Sequence, residues 1–378
     1  MAVYKLFPAK DTSLYSMYPT MNTGIDPILQ ISNLNFAVDS SPSVARSILQ
    51  FDDSEIANVL ENKVGSKTWD AQLRCFIATA QGVVEDSTLE LFPVYNGWNQ
   101  GTGTYLDEPI TTDGAAWNSP LFGGGDAWDI GGASLGYTSS YNPIYAPQGG
   151  GSWYLSSSDG VTQYPVTQSF DPRSEKDLSV YVKSMVEDWY SGSLSNNGII
   201  IKWENAAEFS TNKQVQPVMQ YYSVDTNTIY PPELDIKWDD SVWNTGSSTT
   251  TELFQPNAFI ALADNVGTFY SESVNRFRIN CRPKYPAQVW STSSLYTKQY
   301  YLPSGSAWYA VKDLDTNEYV VPFDSRYTRI SADVSSSYFD IYMNGLQPER
   351  YYQILIQVDS EGSTTVYDDN YYFKVING

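Results

Sequence analysis

The sequence predicts an all-β protein in two parts: a jelly-roll-like β-sandwich with short helices and long Gly/Trp loops, then an immunoglobulin-like β-sandwich. Three observations predict it. Short strand-like runs recur along the chain between clusters of Pro, Gly, Asn, Asp and Ser, the punctuation a sandwich requires. Charged residues are only 17% of the chain, against about 25% in a typical soluble protein, and Ser, Thr, Asn and Gln carry the polar load instead. The 378 residues exceed one ordinary core, so two domains of roughly 130 to 240 residues are expected.

In the first half, strands are expected at Thr12–Ser16, Ile28–Ser32, Val44–Phe51, Ala71–Ala80, Thr88–Pro93, Ile199–Trp203, Met219–Tyr222 and Leu234–Trp238. Two helices interrupt them. One runs from about Ser54 to Asn62, with Asp52 or Asp53 as N-cap and Gly65 just past its end. The other lies in DLSVYVKSMVEDWYSGSLSNNGIIIK, Asp177–Lys202, which reads as a strand, a short amphipathic helix closing on Trp189, a turn and a buried strand. Leu178, Val182, Met185, Val186 and Trp189 fall at helical spacing on one face. Ser191-Gly192 ends the helix, and Asn196-Asn197-Gly198 supplies residues that tolerate positive φ.

Between Tyr95 and Gln168 the chain turns rich in Gly, Trp and Ser, in GWNQGTGTY, TTDGAAWNSP, LFGGGDAWDIGGASLG and APQGGGSWYL. A free linker would not carry Trp98, Trp117, Trp128 and Trp153, so these segments are ordered loops packed on something. A polar low-complexity stretch at Asn244–Thr251 marks the domain boundary. The expected organisation is a sandwich over 1–240, a linker over 241–256 and a second sandwich over 257–378. Its strands are expected at Val274–Cys281, Ala287–Trp290, Ala307–Asp313, Glu318–Phe323, Tyr338–Met343, Tyr351–Val358 and Asn370–Val375, with turns at Asp315-Thr316-Asn317 and Glu361-Gly362. The last strand ends at the chain's end, so no tail is expected.

Composition excludes several functions. The chain has no histidine, which removes the commonest general base and metal ligand and every Ser-His or Cys-His pair. Its two cysteines, Cys75 and Cys281, sit in strand-like runs of different domains and read as small buried hydrophobes; their number excludes a disulfide scaffold. The net charge of −21, from 43 acidic and 22 basic residues, repels phosphate backbones, so no nucleic-acid partner is expected. No apolar run reaches the roughly 18 residues of a membrane span, and the N-terminus lacks a secretion signal, so neither a membrane partner nor ordinary export is expected.

Candidate sites are few. The carboxylate pairs Asp52-Asp53, Asp239-Asp240 and Asp368-Asp369 sit beside strands or turns, where capping explains them as readily as glycoside hydrolysis. Asp11, Asn22, Asp26 and Asp39 could supply oxygen ligands to calcium, although no EF-hand spacing is present and turn formation is the simpler account of them. No other cofactor is expected. The glycine runs at 123–125 and 149–151 lack the Lys-Ser/Thr of a phosphate loop. Trp98, Tyr105, Trp117, Trp128, Trp153 and Tyr154 are the candidate contact residues. They either stack on sugar rings or serve as protein interface and internal loop packing.

Several blocks in order resemble a known domain. KDTSLYS with NTG, RSILQFDDSEI around Arg46–Ile56, WNQGTGTY with DGAAWNSP, and LSVYVKSMVEDWYSG with NNGIIIK resemble the DNRLRE-type β-sandwich, classed among carbohydrate-binding modules, over about Lys10 to Lys237. The resemblance implies a jelly-roll-like fold and glycan binding as one role. The opening MAVYKLFPAKDTSLYS, NTGIDPIL, YSVDTNTIYPPELDIKW and the ending YYFKVING are similar to structural proteins of tailed bacteriophages, particularly marine and cyanobacterial ones. That similarity implies a virion protein, made in the host cytoplasm and built into the particle. The expectation is therefore a non-enzymatic virion structural protein of the tail, neck or fibre apparatus, assembling as a homo-oligomer or on other virion proteins. The alternatives are an adhesin recognising host surface glycan through the 95–155 loops, and a capsid decoration protein.

Overall fold

The computed structural model describes residues 2–35, 42–83, 86–138, 149–210, 217–246, 251–253, 258–263, 266–285, 300–360 and 362–378. The expected strand Ala287–Trp290, the calcium candidate Asp39, the turn residue Glu361 and positions 247–250 of the polar stretch lie outside them. The chain is all-β, with antiparallel sheets and short helices. It divides into two compact units: one of Leu6–Lys63 with Asp70–Asp235, and one of Ile236–Gly378 with Met1–Lys5 and Val64–Trp69. Set beside the expected 1–240 and 257–378 division, two short N-terminal segments group with the second unit.

The first unit is built on one wide sheet, in the order Val166–Phe170, Ser87–Pro93, Ile199–Trp203, Pro42–Gln50, Ile28–Asn35, Val218–Tyr222, Ile77–Gln81, with Lys10–Tyr15 also paired to Pro42–Gln50. Leu178–Tyr181, Trp69–Cys75 and Glu233–Trp238 belong to a second sheet. The expected single strand Ala71–Ala80 is two, broken at Phe76, because the chain changes sheets there: Leu178 pairs with Cys75, while Met219 pairs with Ala80 in the other sheet. Ile199–Trp203 lies centrally and is buried on both faces, so its sequence is apolar at every position but Lys202 instead of alternating.

The first helix spans Asp53–Val59 and continues as a π-helical turn over Leu60–Val64; Asp52 caps it by accepting from the Ser54 and Glu55 amides. The second spans Lys183–Tyr190 with Met185, Val186 and Trp189 buried. Leu178, expected on that helical face, belongs to the preceding strand and is buried through its pairing with Cys75. Gly192 and Gly198 take the positive φ that ends the helix and turns the chain into Ile199.

The second unit has the strand arrangement of an immunoglobulin-like sandwich. One sheet orders Ala258–Ala263, Val274–Pro283 and Ser337–Tyr342 in the positions of strands A, B and E. The other orders Thr268–Tyr270, Ser363–Ile376, Tyr351–Ser360, Ala307–Asp313 and Tyr319–Val321, the positions A′, G, F, C and C′. Thr268–Tyr270 runs parallel to Ser363–Ile376, as A′ does to G. Phe277, Tyr309, Phe339, Tyr352 and Phe373 fill the space between the sheets. Tyr309 and Phe339 stack with ring centroids 4.4 Å apart. Near the start of the F-position strand, the Tyr352 hydroxyl donates to the Gln347 carbonyl at 3.1 Å, a tyrosine corner that pins the E–F connection.

Candidate functional site

The Gly/Trp loops roof the outer face of the wide sheet. Ile48 pairs with Ile200, and Ile200 with Phe92, so these three share a face with Lys202 and Glu90 of the next pair. Phe92 packs on Trp153 at 5.5 Å between ring centroids. Gly150 has φ +75°, and a Cβ there would stand 2.6 Å from the Trp117 ring. Glycine is therefore required, because the backbone must lie flat on an indole.

Under this roof lies a buried charge network that the sequence reading missed. The Arg46 guanidinium, 0% exposed, forks onto Glu208 with both contacts at 2.8 Å, and donates to the Gly150 carbonyl at 2.6 Å and Thr138 Oγ1 at 2.9 Å. It also lies over the Trp117 and Trp153 rings at 5.0 and 5.3 Å. The Lys202 ammonium reaches Glu90 at 2.9 Å and Glu208 at 3.7 Å. Two cations face two carboxylates, so the group is compensated and holds the roof to the sheet. The sequence signal was a charge at an inward position of an apolar strand, in VARSIL and IIIKW.

Asn22 is a second node, and it joins three of the sequence motifs. Its side chain, fully buried, donates to the carbonyls of Gln100 at 2.7 Å and Ala115 at 2.9 Å. Its Oδ1 accepts from the amides of Gly24 at 3.1 Å and Gly103 at 2.9 Å. NTG, GTG and DGAAW thus meet on one amide. A Cβ at Gly101 or Gly114 would strike that amide, which is why these motifs are glycine-rich.

The described calcium candidates are engaged by backbone amides. The Asn22 oxygen is saturated by two amides. Asp26 uses Oδ1 on the Ile28 amide (2.9 Å) and Oδ2 on the Tyr105 amide (2.8 Å). Asp11 is buried and accepts from the Val224 amide at 2.7 Å; burial, with the nearby Asp225 and Asp26 charges, raises its carboxyl to about 7. The Asn22 oxygen, both Asp26 oxygens and one Asp11 oxygen thus accept from N–H donors, and among the described residues no group of three His, Cys, Asp or Glu could hold a metal ion. The paired carboxylates serve local structure. Asp52 caps a helix, Asp53 accepts from Asn196, Asp239 accepts from the Ser241 amide, and Asp368 accepts from Gln353. Both cysteines are buried and unbridged, and burial pushes the Cys281 thiol up to about 12.

The six aromatic candidates separate. Trp98, Trp117, Trp128 and Trp153 are buried; Trp98 Nε1 donates to the Asn197 carbonyl at 2.8 Å and Trp128 Nε1 to Ala116 at 3.0 Å. Of the readings open for these four, the structure gives internal packing, and they are withdrawn from the surface. Tyr154 is half-buried against Tyr95. Tyr105 is 43% exposed and rests on Tyr15, with ring centroids 4.9 Å apart.

The same loops carry further exposed apolar side chains besides Tyr105. Leu106, Ile110, Leu121 and Phe122 are each at least 40% exposed. They project from segments laced together by the Asn22–Thr111, Gly123–Thr112 and Asn118–Pro19 backbone hydrogen bonds. Asp107 accepts from Thr104 and Thr111, and Asp113 from Thr102; both carboxyls are held below their usual range, so they remain ionised. Exposed aliphatic and aromatic side chains on fixed loops that also carry ionised carboxylates are suited to association with a protein surface.

No family model matches the chain, and no curated protein matches it. A solved structure of a DUF4785 family protein from Legionella pneumophila subsp. pneumophila is similar at 8% identity and a TM-score of 0.17. The match covers 98% of this chain and 66% of that one. A likeness of that size carries no argument about fold or function.

Proposed function

We propose that this chain is a non-enzymatic structural component of a virion, assembling through protein–protein contacts in the tail, neck or fibre apparatus. The observation that carries the reading is the loop surface at Tyr105, Leu106, Ile110, Leu121 and Phe122, apolar and exposed on loops fixed from beneath. Exposed apolar side chains held on a rigid support cost solubility unless a neighbour covers them. The similarity of the chain's opening and ending to tailed-bacteriophage structural proteins supplies the setting, and the −21 charge limits contacts that lack complementarity. Four of the six rings on which the glycan-adhesin reading rested are buried, and among the described residues no exposed row of tryptophans favours it. Mass spectrometry of gradient-purified particles from the cells that make this chain tests the proposal. The chain is expected to co-sediment with the particles at a fixed ratio to the other structural proteins. Particles that lack it, with the chain left in the soluble fraction, would contradict the reading.

A further inference from the structure

The sequence distributes its charge unevenly. From Cys75 to Pro172 there is no Lys or Arg and there are ten Asp or Glu. The exposed apolar loop residues lie inside this run, with Asp107, Glu108, Asp113 and Asp126 among them. A neighbour that covers them must bring positive charge of its own.

The immunoglobulin-like unit carries a surface of that kind. On Val274–Pro283, Phe277, Ile279 and Cys281 point into the core, which turns Arg276, Arg278 and Arg282 outward. Arg276 lies over the Tyr338 ring at 4.0 Å and forks onto Asp340, and Arg278 forks onto Asp333. Arg282 lies over Phe259 at 4.8 Å, opposite it in the strand pair, and has no carboxylate partner among the described residues. Lys284 follows, exposed, and Tyr285 beyond it is 78% exposed. This end of the stripe thus combines two cations that have no carboxylate partner among the described residues with two exposed rings, Phe259 and Tyr285.

We infer that the acidic apolar loop surface of one copy docks on the Phe259–Arg282–Lys284–Tyr285 stripe of a second copy, making a head-to-tail contact. The inference rests on the assembly reading above and names its partner. Two different patches meet in such a contact, so each copy keeps one free patch of each kind and assembly continues until a ring closes or a filament grows. Like-charged faces repel, and this pairing brings opposite signs together in a chain of net charge −21.

A charge exchange tests it, with the full chain in analytical ultracentrifugation at rising concentration. One variant carries Arg282→Glu and Lys284→Glu; the other carries Glu108→Lys and Asp126→Lys, which leaves the Asp107 and Asp113 hydrogen bonds of the loops in place. All four positions are on the surface or at its edge, and circular dichroism checks that both variants fold. The wild type is expected to self-associate, each variant alone to associate at least about tenfold more weakly, and the mixture of the two to recover assembly. Wild-type oligomers unchanged by either variant, or no recovery on mixing, would overturn this contact while leaving the virion reading in place. A wild type that stays monomeric at every concentration would overturn it too, and chains absent from particles would overturn the virion reading separately.

Discussion

Asp11 shows what one buried carboxyl does to a β-rich unit. It sits 1% exposed on Lys10–Tyr15, beside the Asp225, Asp26 and Cys75 side chains. Desolvation raises it from 3.8 to about 7. In the unfolded chain it ionises near 3.8, so between these values the folded state binds more protons and stability falls as pH rises. The contribution is complete below pH 3.8 and gone above about 7. Denaturant unfolding at about pH 5, 6, 7 and 8 should show this decline, on the order of a few kcal/mol at ~1.4 kcal/mol per unit. Asp11→Asn should flatten it; parallel curves for the two proteins would refute the assignment. Nothing in KDTSLYS shows that Asp11 faces inward, because inward and outward positions are set by the pairing of Asp11 with Leu49.

At the scale of elements, the Gly/Trp loops act as one roof hung from Asn22. Asn22→Ala removes two donors and one twice-used acceptor from a buried site, which should cost ~2–4 kcal/mol and expose the Gly24 and Gly103 amides. Hydrogen exchange reads this directly: protection of both amides should drop while Ile199–Trp203 stays protected. Retained protection at Gly103 would show that Asn22 is not the hinge pin. Much of this level was legible in the sequence. The Ile199–Trp203 strand and the Asp315–Asn317 turn sit where turn residues bounded them, with Asn317 at φ +64°. The ordered character of the loops followed from their tryptophans. The direction those rings face did not, since a tryptophan that staples a loop and one that meets a ligand have the same local sequence. The Arg46–Glu208–Lys202 network was hidden for another reason: its partners are up to 162 residues apart and meet only when the sheet forms.

For the whole molecule, the two sandwiches give different surfaces. The first unit presents apolar side chains among carboxylates, without a cation from Cys75 to Pro172. The second carries arginines on aromatic rings. The composition indicated an acidic protein with a low charge fraction; the sorting of the basic residues onto one strand's outer face became visible only with the Val274–Pro283 register. In the proposed assembly the loop surface is the part that a neighbour covers. Imaging the intact particle by electron cryomicroscopy, with this chain traced in the density, tests it most directly. Tyr105, Leu106, Leu121 and Phe122 are expected to be covered by a neighbouring protein in the assembled form. Density in which these side chains face open solvent in every copy would contradict it.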